Sequence, residues 1–153
     1  MLHLERMAES DAGVVAPLFL DDAQIQYWEG GKSHSIDSAT SMLSRYFLLP
    51  SYHWILDWNS EVAGYGHVLR SDFLDAWIVS YIIHPNFQRR GLATSFVNQA
   101  KLFAEDETLG TLYASVHPRN LASLRVIEKS GFELVEEMTR SGDRLYRWPR
   151  TVS

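Results

Sequence analysis

Cysteine is absent from the 153-residue sequence, which excludes disulfides, thiolate metal sites and a cysteine nucleophile. A reducing cytoplasm fits this composition. The sequence also has no apolar stretch of bilayer length, because its longest apolar-rich run, Ala76 to Ile83, is far too short to cross a membrane. Its first residues, Met1 to Met7, contain no apolar core of signal-peptide length. We therefore expect a cytoplasmic protein without a membrane partner.

Basic charge is scarce, since 14 Lys and Arg residues are outnumbered by 19 Asp and Glu residues and the net charge at pH 7 is −5. This balance argues against general nucleic-acid binding. It would suit a cationic acceptor such as an amine, although ordinary solubility is the simpler explanation. The histidines are scattered singly, without metal-ligand spacing, so no metal is expected. Because repeats and Pro/Gly-rich linkers are also absent, we interpret residues 1–153 as one domain, present as a monomer or homodimer.

Hydrophobic periodicity predicts the element order β-α-α-β-β-β-α-β-α-β-β, a mixed α/β sheet with helices on its faces. Ser10 or Asp11 can cap the first helix. The expected apolar stripe of this helix consists of Val14, Val15, Leu18 and Phe19. The segment from Asp21 to Ser35 contains Gly30 and Gly31, and we interpret it as a loop or a broken helix.

The most informative stretch follows a strand-like apolar segment and opens an amphipathic helix. It reads Gln88-Arg89-Arg90-Gly91-Leu92-Ala93 and is followed by Thr94. A loop of this kind collects main-chain N–H groups at the positive end of a helix, which makes an anion site suited to a pyrophosphate. Gly91 would let the backbone approach the ligand, and the two arginines add positive charge.

A second motif lies downstream and reads Asn120-Leu121-Ala122-Ser123, followed by Glu128-Lys129-Ser130-Gly131-Phe132. Together with the Gln88–Ala93 loop, it resembles the GNAT superfamily of N-acetyltransferases, and the resemblance spans essentially the whole chain. The pattern is closest to the branch of ribosomal-protein N-terminal acetyltransferases and their small-molecule-modifying relatives. The resemblance implies a mostly antiparallel, GNAT-like sheet with a splayed central strand pair, and acetyl-CoA as co-substrate.

By this resemblance, the loop from Gln88 to Thr94 cradles the pyrophosphate of acetyl-CoA. Asn120 contacts the cofactor near the pantetheine arm, with the alternative that it only caps its helix. The arm would lie between the splayed strands and bond to the main chain of Ile82 and Ile83, as a peptide adds to a sheet edge. A main-chain N–H near Ile83 would stabilise the oxyanion that forms on the thioester.

The resemblance leaves the catalytic acid and base open. Many family members carry a tyrosine seven residues after the motif asparagine as the proton donor to sulfur, and here that position is Ile127. Ser123 is our candidate donor, with the alternative that it is a small residue that lets the helix approach the cofactor. Some relatives carry a glutamate five residues before the asparagine, and here that position is Ser115. His117 is our candidate base, with the alternative that it is an ordinary loop residue, and bulk solvent or a water chain is the default.

The acceptor pocket is expected among the first two helices, the loop between them and the strand that carries Tyr81. Tyr27, Trp28 and Tyr81 are the predicted substrate contacts, and Glu29 could attract a cationic acceptor. We therefore predict transfer of an acetyl group from acetyl-CoA to a primary amine of a small molecule or of a peptide or protein N-terminus. Two alternatives remain: an acyl-CoA-binding or sensing module with little or no catalysis, and a nucleotide-phosphate binder without acyl chemistry.

Overall fold

A computed structural model describes residues 1–28 and 31–149 of the chain, in which one seven-stranded sheet carries helices on both faces. The strands are β1 (Leu2–Arg6), β2 (Ser51–Trp58), β3 (Glu61–Ser71), β4 (Ala76–Ile83), β5 (Leu112–Val116), β6 (Glu133–Glu136) and β7 (Arg144–Trp148). The helices are α1 (Ala12–Val15), α2 (Asp22–Ile25), α3 (Ile36–Tyr46), α4 (Leu92–Asp106) and α5 (Leu121–Lys129). The predicted order of strands and helices is found, with the short helix α2 as an addition between the first two predicted helices. No helix within the described ranges is long and apolar enough to span a bilayer.

The sheet has the strand order β1-β2-β3-β4-β5-β7-β6, and only β4 and β5 run parallel to each other. These two strands pair through just two positions, Trp77 with Leu112 and Ile78 with Tyr113. Beyond Ile78 they diverge, while β4 continues to pair with β3 as far as Ile83. The divergence opens a cleft between the carboxyl-terminal halves of β4 and β5. The predicted mixed, mostly antiparallel sheet with a splayed central pair is therefore confirmed.

Side chains of the central strands alternate between two hydrophobic cores, one on each face of the sheet. On one face, Tyr65 and Ile82 pack with buried residues of α1 and α3. On the other face, Val79 packs with α4 and α5, whose buried residues include Phe96 and Ile127. Because the cleft interrupts the sheet between these cores, it connects one helical layer with the other.

The first predicted helix is broken. α1 ends at Val15 and a 3-10 turn, Ala16–Phe19, follows it, because Pro17 has no N–H with which to continue the α-helical hydrogen bonding. The expectation that Val14 belongs to the buried stripe is therefore wrong, since this residue is 48 % exposed. The other three members of the predicted stripe are buried.

The segment from Asp21 to Ser35 contains the short helix α2, in agreement with a loop or broken helix. Asp21 caps α2, because its carboxylate accepts hydrogen bonds from the main-chain nitrogens of Ala23 and Gln24. Glu29 and Gly30, which the sequence singled out beside the expected acceptor pocket, lie outside the described residues.

Candidate active site

Two cavities meet at the cleft between β4 and β5. The first, of about 750 Å³, lies beside the loop before α4 and the start of α5, and we call it the loop cavity. The second, of about 690 Å³, lies between β3, β4, β5 and the turn before β7, and we call it the strand cavity. Six residues line both cavities: Gln26, Tyr27, Trp28, Tyr81, Asn120 and Ser123.

The loop cavity has a wall of N–H groups at the start of α4. Gly91 precedes this helix with a φ of +76°, a left-handed conformation that is costly for residues with a β-carbon. A β-carbon at Gly91 would meet no atom within 4 Å, so it would project into open space. Within the described residues, the amide nitrogens of residues 92–94 donate no hydrogen bond. These donors at the positive end of a 15-residue helix can receive an anion.

The side chains of the loop do not all turn toward this wall. Gln88 and Arg89 line the loop cavity, and Nε2 of Gln88 lies 3.3 Å from the Ile83 carbonyl oxygen, to which it donates. The Arg90 guanidinium instead lies over the Phe87 ring, 5.4 Å from its centroid, in a cation–π contact. Of the predicted cofactor-binding residues, only Arg90 does not line this cavity, so its expected part in the cradle is not supported.

The main chain of Ile83 faces the cleft, whereas that of Ile82 faces β3. The main-chain nitrogen of His84 donates a 2.7 Å hydrogen bond to β3, and alternation along the strand turns the polar groups of Ile83 to the opposite side. In agreement, the side chains of Gln24 and Gln88 both donate to the Ile83 carbonyl. The prediction that Ile82 bonds a ligand through its main chain is therefore wrong, although Ile82 does line the loop cavity.

Tyr81 and Ser123 are hydrogen-bonded where the two cavities meet. The Tyr81 hydroxyl donates to Oγ of Ser123 over 3.1 Å and so links β4 to α5. Burial raises the pKa of Tyr81 to about 12, against a smaller opposing effect of the hydrogen bond to Ser123, so the phenol is protonated at neutral pH.

Asn120 caps α5 and also lies on the wall of both cavities. Its Oδ1 accepts a 3.3 Å hydrogen bond from the main-chain nitrogen of Ser123, which confirms the capping alternative. Its amide nitrogen donates no hydrogen bond within the described part of the chain, and it can therefore contact a ligand.

Tyr27 closes the cleft from the side of α2. Its hydroxyl donates to the Arg119 carbonyl over 3.4 Å, and its ring centroid is 4.8 Å from that of His117. Nε1 of Trp28 donates a 3.1 Å hydrogen bond to the Tyr46 hydroxyl. His117 Nδ1 accepts a 3.0 Å hydrogen bond from the main-chain nitrogen of Arg119, so this ring nitrogen stabilises the loop. The structure thus brings Tyr27 and Trp28 to the cleft beside Tyr81, where the sequence predicted substrate contacts.

The strand cavity is walled mainly by neutral groups. Ile127, at the position of the family tyrosine, lines it and is 1 % exposed. Oγ of Ser115 donates a 3.0 Å hydrogen bond to Oδ2 of Asp143. Among the described residues that line this cavity, Asp143 is the only one with a carboxylate, and none has a lysine or arginine side chain. A cationic ligand would therefore meet one group of opposite charge.

The sequence patterns did not identify His67 and Asp143, two residues that line the strand cavity. The period of two along β3 places Tyr65 and His67 on one face of the sheet, and this signal could have drawn attention to His67. The position of Asp143 depends on the contact of the turn before β7 with Ser115, which no local pattern encodes.

Comparison with known proteins gives one family match and several structural ones. Residues 1–133 match the family model of the acetyltransferase (GNAT) domain. A search of curated proteins finds no significant match. The putative acetyltransferase yncA from Salmonella typhimurium, solved with its cofactor acetyl-CoA, has a TM-score of 0.78 at 16 % identity, over 100 % of this chain and 97 % of that one.

Two further similar structures differ in what they act on. RimL, the ribosomal L7/L12 alpha-N-protein acetyltransferase, was solved with coenzyme A and has a TM-score of 0.78 at 16 % identity, over 95 % of this chain and 92 % of that one. An aminoglycoside acetyltransferase solved with coenzyme A and kanamycin has a TM-score of 0.78 at 18 % identity, over 98 % of this chain and 95 % of that one. At these identities the similarity establishes the fold, and the predicted GNAT-like fold is confirmed.

Proposed function

Because the family match spans well over half of its length, the chain belongs to the GNAT family of acetyltransferases, and we propose that it transfers an acetyl group from acetyl-CoA directly to a primary amine. The acceptor is a small molecule or the amino terminus of a peptide or protein. The proposal includes a cytoplasmic location, which a sequence without cysteine favours, and a monomeric or homodimeric protein.

The observation that carries the proposal is that two cavities meet at Tyr81 and Ser123 in the gap between β4 and β5. Each has a volume typical of sites for small ligands. Direct transfer needs both substrates at once, with the amine nitrogen beside the thioester carbon. One cavity offers donors for a diphosphate and the other offers a carboxylate for a cationic amine, so each suits one of the two substrates.

On the cofactor side, the main-chain donors of residues 92–94 and the side chain of Arg89 would hold the pyrophosphate. The main chain of Ile83 would pair with the pantetheine arm after Gln24 and Gln88 release its carbonyl. Alternation along β4 also turns the N–H of Tyr81 toward the cleft. The N–H groups of Tyr81 and Ile83 are therefore our candidates for polarising the thioester carbonyl.

The transfer requires two proton movements. The amine nitrogen bonds to the acetyl carbon, the carbon–sulfur bond breaks, one proton leaves nitrogen and one reaches sulfur. Ser123 would donate to sulfur, because its oxygen accepts the hydrogen bond of Tyr81 and its own proton remains free. Among the six described residues that line both cavities there is neither a carboxylate nor a histidine. Burial lowers the pKa of His67, which lines the strand cavity, to about 3, so this histidine is a weak base, and water is the proposed acceptor of the amine proton.

A second function, an acyl-CoA-binding or sensing module with little or no catalysis, is favoured by two positions. Ile127 cannot donate a proton where many family members have tyrosine, and Ser115 cannot act as a carboxylate base. Ser115 instead donates to Asp143. This module would bind coenzyme A as tightly as an enzyme does and would release no thiol.

The experiment that separates these functions measures release of the coenzyme A thiol from acetyl-CoA with a panel of amines. The panel contains polyamines, aminoglycosides and short peptides with free amino termini, and mass spectrometry identifies any acetylated product. We expect thiol release with at least one amine and with none in a buffer control. Calorimetry with coenzyme A is run on the same sample. Binding without thiol release would favour the module, and the absence of binding by folded protein would contradict both functions.

A further inference from the structure

A row of hydrogen-bonded side chains runs beneath the strand cavity and ends at His67. Nδ1 of His53 lies 2.7 Å from the Tyr65 hydroxyl, which lies 2.9 Å from Nδ1 of His67. At the other end of the row, Nε2 of His53 lies 2.8 Å from Oγ of Ser51. His53 pairs with His67 across β2 and β3, and Tyr65 lies two residues before His67, so these three side chains share one face of the sheet.

Ser51 fixes the direction of the row. Its Oγ lies 3.0 Å from the carbonyl oxygens of both Tyr46 and Leu49, which can only accept. If its proton pointed to His53 instead, its lone pairs would face two carbonyl oxygens at that distance. The Ser51 proton therefore goes to a carbonyl, and Nε2 of His53 carries the proton that Ser51 Oγ accepts.

The protons of the other members follow from this assignment. Burial, with a smaller contribution from Arg6, lowers the pKa of His53 to about 4, so the ring is neutral and its Nδ1 is a bare acceptor. Burial raises the pKa of Tyr65 well above its usual value, so its hydroxyl keeps one proton and donates it to His53. The Tyr65 oxygen must then accept from Nδ1–H of His67. Because burial also lowers the pKa of His67, to about 3, that ring is neutral as well, and its Nε2 keeps a lone pair.

This lone pair belongs to a residue that is only 4 % exposed and that lines the strand cavity. The rings of Trp28 and Tyr46 pack edge-on against His67, with centroids 5.6 Å and 4.9 Å away. Within the described residues, Nε2 of His67 has no hydrogen-bond partner. Among the described residues, Oγ of Ser130 is the one fully buried side-chain polar atom without a partner, so the unpartnered Nε2 of His67 is open to the strand cavity, where a ligand can donate to it.

We propose that Nε2 of His67 accepts a hydrogen bond from the amine nitrogen of the acetyl acceptor, which makes His67 a specificity-determining residue of the strand cavity. This inference rests on the proposed function. A neutral primary amine has two N–H bonds and one lone pair. A hydrogen bond from one N–H to His67 leaves the lone pair free to attack the thioester. A tertiary amine has no N–H to donate and is excluded. His53 and Tyr65 are positioning residues, since they act only by holding His67 in the accepting tautomer.

The tautomers can be observed without any turnover. In protein labelled with ¹⁵N-histidine, long-range nitrogen–proton spectra should show His67 protonated at Nδ1 and His53 protonated at Nε2. Addition of spermidine or kanamycin as probe should shift the bare Nε2 resonance of His67. A His67 protonated at Nε2 in the free protein would overturn the assignment and the inference with it.

Two variants of His67 test the roles of its two ring nitrogens independently. In His67→Asn the amide takes the place of Nδ1, so the contact with Tyr65 is kept and the acceptor in the cavity is lost. In His67→Gln the amide reaches the place of Nε2 and can still accept through its oxygen. With the amine that releases coenzyme A thiol fastest, we expect His67→Asn to raise the KM for the amine about tenfold and to leave the KM for acetyl-CoA unchanged. His67→Gln should recover most of the loss.

Tyr65→Phe tests the row itself, because Tyr65 does not line the strand cavity. Without the hydroxyl, His67 is free to take either tautomer, so the KM for the amine should rise by a smaller factor while coenzyme A binding is kept. Thiol release with an unchanged amine KM in His67→Asn would overturn the inference and leave the proposed function intact. If no amine releases thiol, the proposed function fails. The inference about His67 is tested separately by the nitrogen spectra: it is overturned if neither spermidine nor kanamycin shifts the Nε2 resonance of His67.

Discussion

The ring of Phe96 covers Gly66 so closely that a β-carbon at residue 66 would lie 2.2 Å from Cζ of Phe96. Gly66 belongs to β3 and pairs with Tyr81 of β4, while Phe96 belongs to α4 and is fully buried. The Tyr81 and Phe96 rings lie near each other, with centroids 6.4 Å apart. The absence of a side chain at residue 66 therefore lets α4 approach the sheet beside the proposed catalytic pair.

Gly66→Ala should destabilise the fold by about 1–3 kcal/mol, because the fully buried ring of Phe96 would have to shift to make room for the β-carbon. Gly13→Ala is the matched control. A β-carbon at Gly13 would meet no atom within 4 Å, and Gly13 lies in α1, where alanine favours the helix. Urea unfolding of both variants tests the close approach. Equal stabilities of the two variants would contradict it.

Gly91→Glu should weaken coenzyme A binding at least tenfold, because it places a carboxylate at the anion site before α4. The control is Gly110→Glu, which adds the same charge at a similar φ, +84° against +76°, and in equally open surroundings. Gly110 lies beyond the far end of α4, a helix roughly 22 Å long. Both variants should lose similar stability from backbone strain. Calorimetry measures the coenzyme A affinity of both variants. Equal affinities would contradict the assignment of the anion site to the start of α4.

Ser123→Ala should lower kcat by about 100-fold and leave coenzyme A affinity nearly unchanged, because a proton donor to sulfur acts in the transition state. Tyr81→Phe should also lower kcat, since the serine loses the hydrogen bond that Tyr81 donates. The double variant should be little worse than Ser123→Ala if the two groups act as a unit. Ser41→Ala, an exposed serine of α3, is the control. Multiplicative losses in the double variant would show independent roles.

Asp143→Asn should raise the KM for a cationic amine about fivefold, which corresponds to roughly 1 kcal/mol, because the strand cavity loses its described carboxylate. Asparagine can still accept the hydrogen bond of Ser115, so the wall should be preserved. The effect should shrink as salt is added. Glu137→Gln removes the same charge from an exposed residue outside the cavity and should leave KM unchanged.

Stability should fall as the pH drops from about 6.5 toward 4. Burial lowers the pKa of His53 to about 4 and that of His67 to about 3, whereas histidines of an unfolded chain titrate near pH ~6.5. Between these values the unfolded chain binds more protons, so the stabilisation is complete above the unfolded pKa and declines below it. The slope is at most about 1.4 kcal/mol per pH unit for each histidine.

Urea unfolding of the wild type and of His67→Asn at pH 7.5 and at pH 5 measures this effect. The variant should have lower stability at pH 7.5 and a smaller loss between the two pH values, because one of the two buried histidines has been removed. An equal loss in both proteins would show that His67 is not the titrating group.

The parts of the fold that follow local patterns were predictable from the sequence. The glycine corner at Gly91 and the cap at Asn120 depend on residues adjacent in the chain, and both are found where the motifs place them. The alternation of apolar residues likewise gives the strands of the sheet. The broken first helix was missed because Pro17 interrupts a stripe whose spacing still resembles that of one continuous helix.

The features that depend on contacts between distant segments were not predictable. The register of β4 against β3 determines that the main chain of Ile83, and not that of Ile82, faces the cleft. The guanidinium of Arg90 lies over the Phe87 ring and not in the loop cavity, and no motif encodes this contact. The tautomer of His67, with an unprotonated Nε2, depends on the row of hydrogen bonds that forms because His67 pairs with His53 across β2 and β3. No sequence motif encodes this pairing.

The divergence of β4 from β5 also has a consequence for handling the protein. Unpaired strand edges are templates for other strands, and here two such edges face each other inside the molecule instead of at its rim. Until a ligand fills the gap, the same main-chain groups can recruit an extended segment from a neighbouring molecule. Ligand-free preparations should therefore aggregate faster on storage than preparations saturated with coenzyme A, and light scattering over days would record the difference.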